Sequence, residues 1–182
     1  NKTLSGALLV SERASGDLYQ LFFGKSNKET KNDDIWIRRN TKPFWKIILK
    51  KIIIAIYHLP FMHNDLHLGN ILLVKEQSDG EWMPLIHDFG EATSFDRNIQ
   101  FAQYSNYVLD YYNFFYSIEE AIKKINQNKN VLLDNNEMDP KICEWLNTTS
   151  IKMRKELEKY TPNIINKMDI SFINKLYSIL DN

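Results

Sequence analysis

The run His63-Asn64-Asp65-Leu66-His67-Leu68-Gly69-Asn70 is followed, eighteen residues after Asn70, by Asp88-Phe89-Gly90. Carboxylates and carboxamides are hard oxygen ligands, and neither must lose a proton at neutral pH to bind Mg²⁺. Asp65, Asn70 and Asp88 could therefore hold a divalent cation and orient an attacking hydroxyl. That is the chemistry of phosphoryl transfer, in which the group in flight carries negative charge spread over its oxygens. Asp and Asn are also common turn and cap residues, so the assignment rests on the order and spacing of the whole set rather than on any short piece of it.

The flanking residues predict elements suited to hold this set. Ile71-Leu72-Leu73-Val74 and Met83-Pro84-Leu85-Ile86 are short apolar runs separated by the turn signal Ser78-Asp79-Gly80, and together they predict a hairpin that delivers His87 and Asp88. Upstream, Phe44, Trp45, Ile47, Ile48, Leu49, Ile52, Ile53, Ile56 and Tyr57 recur at helical spacing and stop near Leu59-Pro60, just before the loop. Further helices are predicted over residues 107–127, 140–160 and 170–181. The polar stretch 24–43 reads as an exposed excursion, with Pro43 at the start of the apolar helix.

On these residues the chain resembles the protein-kinase-like superfamily, whose catalytic loop reads H-x-D-L-x-x-x-N and whose metal-binding turn reads D-F-G. The resemblance implies ATP and Mg²⁺ as cofactors. Asp65 would accept or orient the substrate hydroxyl, Asn70 would bind one Mg²⁺, and Asp88 would bridge metal and phosphates. His67 would contact the γ-phosphate or cap the loop, and His63 would pack and hydrogen-bond beside the D-F-G turn. Leu8 to Leu18 looks like the hinge between two kinase lobes, which implies adenine against Glu12 to Ala14 and ribose near Asp17. Asp110-Tyr111-Tyr112-Asn113-Phe114-Phe115-Tyr116-Ser117-Ile118-Glu119-Glu120 resembles the start of the buried central helix. By that likeness Asp110 is structural, its carboxylate accepting backbone N–H groups of the catalytic loop.

The departures from the family pattern are specific. No G-x-G-x-x-G occurs, and neither the strand lysine nor its glutamate partner is visible. The expected architecture is therefore α+β and mainly helical: one partial kinase-like domain over residues 1–182, with a small hairpin at the active site. Residues 5–18 would be the end of the N-terminal lobe and the hinge, and residues 19–182 the C-terminal lobe. Asn64 replaces the common arginine, so ordering of the downstream segment by a phosphate–arginine pair is not expected. D-L-H-x-G-N resembles small-molecule phosphotransferases of the aminoglycoside and choline type and haspin-like atypical protein kinases. Only nineteen residues separate Gly90 from Asp110, and no A-P-E follows. A protein Ser/Thr acceptor is slightly favoured over a small molecule. The alternative is a truncated, catalytically impaired lobe that binds or inhibits a partner.

Composition narrows the remaining classes. Lys plus Arg and Asp plus Glu are 23 each, which argues against a dedicated nucleic-acid binder. The single cysteine, Cys143, excludes an internal disulfide and fits a reducing compartment, so the expected location is cytoplasmic, the interior of a host cell included. The longest apolar run, Ile52 to Tyr57, is too short to span a bilayer. His58 and His87 read as core or edge residues, and the stripe from Tyr104 to Tyr116 reads as core packing rather than a stacking platform.

Overall fold

The computed structural model describes residues 14, 16–24, 34–75, 80–94, 100–127, 138–160 and 170–182, and for 94 and 100–107 the backbone alone. The fold is α+β and mostly helical, with a three-stranded antiparallel sheet in the order β1-β3-β4 and a two-stranded pair, β2-β5. The elements in chain order are β1 (Gly16–Asp17), α1 (Leu18–Phe23), α2 (Ile35–Arg38), α3 (Lys42–Tyr57), β2 (Phe61–Met62), a 3-10 turn (Leu68–Asn70), β3 (Ile71–Lys75), β4 (Trp82–Ile86), β5 (Thr93–Ser94), α4 (Gln100–Gln127), α5 (Pro140–Leu157) and α6 (Ile170–Asp181). Among the described residues no helix is long and apolar enough to cross a membrane.

Helix α3 follows from its sequence. Pro43 in the first turn lacks only an N–H that has no helical acceptor. Phe44, Trp45, Ile48, Leu49, Ile52, Ile53 and Ile56 then recur every three to four residues and are all buried. The opposite face carries Lys46 and Lys50, both of which reach Asp181 at the end of α6. Helix α4 repeats the pattern with Tyr111, Phe114, Phe115 and Ile118, none of which is exposed. It packs along α5, while α3 packs on α6 and β4.

Helix α4 begins at Gln100, seven residues before the predicted start. No Gly or Pro occurs between residues 91 and 139, so nothing local terminates the helix on its N-terminal side. Helix α5 ends at Leu157, three residues short of the predicted limit, with Glu158 as its cap. In the hairpin, Ile71 pairs with Ile86 and Leu73 with Pro84. Pro84 is tolerated because β4 lies at the edge of the sheet, where a missing N–H leaves no ladder partner unpaired.

The stretch 24–43 departs from expectation, since its described part is not an exposed excursion. Ile35 and Arg39 are each only 2% exposed. Arg39 donates through Nη1 to the Leu21 carbonyl at 2.6 Å, one of the carbonyls that α1 leaves without a helical partner. Its guanidinium lies 5.0 Å from the Trp36 ring, and its own carbonyl accepts the Trp45 indole N–H at 2.6 Å. Arg39 thus ties α1, α2 and α3 together. Arg39→Ala is expected to destabilise the chain by about 3 kcal/mol, through a cavity plus an unpaired carbonyl, as a lowered urea midpoint would report.

Candidate functional site

The site begins where α3 ends. His58 closes the helix, Pro60 prevents its continuation, and β2 leads directly into the loop from His63 to His67. The peptide groups of this loop are held from below by α4. Asp110, fully buried, accepts the His63 N–H on Oδ2 and the Asn64 N–H on Oδ1, both at 2.8 Å. Burial pushes the Asp110 carboxyl above its usual range, and the two backbone hydrogen bonds and the nearby His63 oppose that rise. One turn further on, Ser117 Oγ accepts the Leu68 N–H at 3.2 Å while donating to the Phe114 carbonyl. Asp110 and Ser117 are seven residues apart, two turns along one helix face, so a single face of α4 supports both ends of the loop.

Asn70 is buried, and its orientation is set by its amide. Nδ2 donates to the Asp65 carbonyl at 2.8 Å and lies 3.4 Å from Asp65 Oδ2, which leaves the carboxamide oxygen uncommitted by these bonds. The backbone of Asn70 meets the second arm of the hairpin, its carbonyl accepting the His87 N–H at 3.0 Å. His87 Nε2 also lies 3.1 Å from the Gly69 carbonyl. Asp88 therefore follows directly on a residue hydrogen-bonded to Asn70, and the hairpin brings Asp65, Asn70 and Asp88 to one end of the sheet.

Asp88 itself is exposed and sits in the left-handed region at φ 62°, which a residue with a Cβ adopts only at a cost. Its conformation is fixed from both sides. His87 is bonded to the loop, and Phe89 packs edge-on against Phe61, with ring centroids 5.0 Å apart. His63 supports the same turn: its Nε2 donates to the His87 carbonyl at 2.9 Å, and its ring lies 5.3 Å from Phe89. The other ring nitrogen of this fully buried histidine has no hydrogen-bond partner among the described residues.

His67 caps the 3-10 turn, its Nδ1 accepting the Gly69 N–H at 3.0 Å, while Nε2 points toward Asp65 Oδ2 at 3.7 Å. The side chains of Asp65 and His67 are 55% and 47% exposed, so a ligand could reach both. Asp17 pairs with Leu72 on β3, two residues beyond Asn70, and its Oδ1 caps α1 by accepting the Gln20 N–H at 2.6 Å. Ala14 is half-buried outside any regular element, and Glu12 lies outside the described residues. Cys143 is buried.

Three contributors escaped the sequence reading. Ser117 had only its heptad offset from Asp110 as a signal. His87 reads as a core or edge residue in the sequence, yet its N–H, ring and carbonyl bond to Asn70, Gly69 and His63 of the loop. Asn64, noted only for replacing an arginine, donates from Nδ2 to the Glu91 carbonyl at 2.7 Å and to Thr93 Oγ1 at 3.0 Å. No protein-family model matches the chain, and no curated protein matches it either.

Proposed function

We propose that this chain is a kinase-like lobe that binds ATP with Mg²⁺ and transfers the γ-phosphoryl group to a hydroxyl, a protein Ser or Thr ahead of a small molecule. The supporting observation is the Asn70–His87 backbone bond, which sets Asp88 beside Asn70 while the Asn70 amide reaches Asp65. Asn70 Oδ1 and the exposed Asp88 carboxylate would hold Mg²⁺. When bound, the ion supplies charge neutralisation at the phosphates. Mg²⁺ keeps several waters and takes one or two protein carboxylates plus substrate phosphates. Among the described residues no group of three or more His, Cys, Asp or Glu is placed to hold a metal, so phosphate oxygens and waters would have to supply the remaining ligands.

Asp65 has the exposure and the position to accept the hydroxyl proton. The acceptor oxygen bonds to the γ-phosphorus as the bond to the β–γ bridging oxygen breaks, leaving ADP. Asp17 and Ala14 would lie on the nucleotide side, and Asp110 and His63 would hold the loop and the turn in register.

The test is transfer of labelled γ-phosphate to a Ser/Thr peptide mixture and to a set of small hydroxyl compounds. Asp65→Asn is expected to lower kcat by about 10²–10⁴-fold with little change in ATP affinity. Transfer that persists unchanged in this variant would remove Asp65 from the reaction. A second reading, a binding module without turnover, draws on the lack of any G-x-G-x-x-G in these 182 residues. Donors for the α- and β-phosphates would then have to come from elsewhere, and Mg·ATP binding with no transfer would select that reading.

A further inference from the structure

The segment after the D-F-G turn is tied to the catalytic loop through one side chain. Asn64 spends both amide hydrogens there, on the Glu91 carbonyl at 2.7 Å and on Thr93 Oγ1 at 3.0 Å. Its own backbone is fixed from the opposite side, because the Asn64 N–H donates to the buried Asp110. Alongside, β2 pairs with β5, Phe61 opposite Ser94 and Met62 opposite Thr93. Two such residue pairs make a short ladder of little intrinsic stability. The Asn64 link therefore carries a large share of the hold on β5.

The conformation selects the residue as well. Asn64 sits at φ 67°, a left-handed region that Gly and Asn enter far more readily than an arginine or any branched residue. An arginine here would offer charged donors best matched by an anion. The carboxamide instead satisfies neutral partners already present in the chain.

We propose that Asn64 is a positioning residue, which locks residues 91–94 onto the catalytic loop by neutral hydrogen bonds and needs no phosphate to do so. The effect on turnover rests on the phosphotransferase reading above; the lock itself does not. Asp88 is held independently by the His87 contacts, so loosening the lock disturbs the loop next to Asp65 and spares Asp88.

Asn64→Gly tests this cleanly, because glycine tolerates the backbone angle while removing both bonds. Thr93→Val removes one acceptor and keeps a strand-forming residue. Amide hydrogen exchange at Ala92 and Thr93 is expected to quicken about tenfold or more in Asn64→Gly and by a smaller factor in Thr93→Val. Exchange in α5 and α6 should stay unchanged, which would separate the local effect from misfolding. In the phosphate-transfer assay Asn64→Gly should lower kcat roughly ten- to hundredfold with KM for ATP unchanged. Unchanged exchange at Ala92 and Thr93 would overturn the lock, and quickened exchange with normal kcat would overturn its role in positioning. A wild-type chain that transfers no phosphate would instead count against the phosphotransferase reading, and the exchange measurement would still decide the lock.

Discussion

Asp88→Ala is expected to abolish the stabilisation of the chain by Mg·ATP. A ligand present at one hundred times its Kd stabilises the folded state by about 2.7 kcal/mol, which for a chain of this size raises Tm by roughly 5–10 °C. The variant should show none of this rise, because Asp88 follows directly on the residue bonded to Asn70 and its exposed carboxylate is the charge proposed to hold the ion beside the Asn70 carboxamide. Its own folding should change little, since among the described residues no hydrogen bond of the Asp88 side chain supports the fold, and the one cost is that Ala enters the left-handed region less readily than Asp. The measurement is a thermal melt of wild type and variant with ATP and Mg²⁺, and with ATP and a chelator. A full Mg·ATP shift in Asp88→Ala would disqualify this carboxylate as the metal ligand, and with it the proposed cluster.

Asp110→Ala should produce the largest loss of stability, about 3–5 kcal/mol. It leaves the buried His63 N–H and the partly buried Asn64 N–H without an acceptor, each worth about 1–3 kcal/mol, and opens a hole in the face of α4. Asp110→Asn should cost less, about 1–3 kcal/mol, because the carboxamide oxygen retains one bond while its NH₂ opposes the second N–H. The two variants should also differ in pH dependence. Burial raises the folded-state pKa of Asp110 above the ordinary value of 3.8. The folded chain therefore keeps this proton to higher pH than the unfolded chain does. The contribution of Asp110 is complete below the ordinary carboxylate value and declines as pH rises through the raised one. Asp110→Asn has no such proton, so its deficit relative to wild type should be greatest at about pH 4 and shrink toward pH 7. Urea titrations across that range measure this; a deficit that grows with pH would mean that the folded-state pKa is depressed instead.

Much of the framework was legible because it is local. The apolar positions of α3 repeat at the helical period, Pro43 and Pro60 bracket the helix, and two apolar runs around a glycine-containing turn make the hairpin. The loop from His63 to Asn70 could be read as a chemical unit because its donors lie within eight residues. Where local signals were silent or ambiguous, the boundaries moved: α4 runs back to Gln100 because no residue between Gly90 and Pro140 forces a break.

The amino-acid sequence by itself determined which side chains are available, how the helices and hairpin repeat, and the spacing at which Asp65, Asn70 and Asp88 occur. Those properties depend on residue type and on neighbours a turn or a strand away. Tertiary structure alone decided that Arg39 is buried against Leu21 and Trp36, that Asp110 reaches across 46 residues to Asn64, and that Asn64 clasps Glu91 and Thr93. Such contacts form only when distant elements close around a common core, because a buried donor or acceptor must find its partner wherever the packing places it.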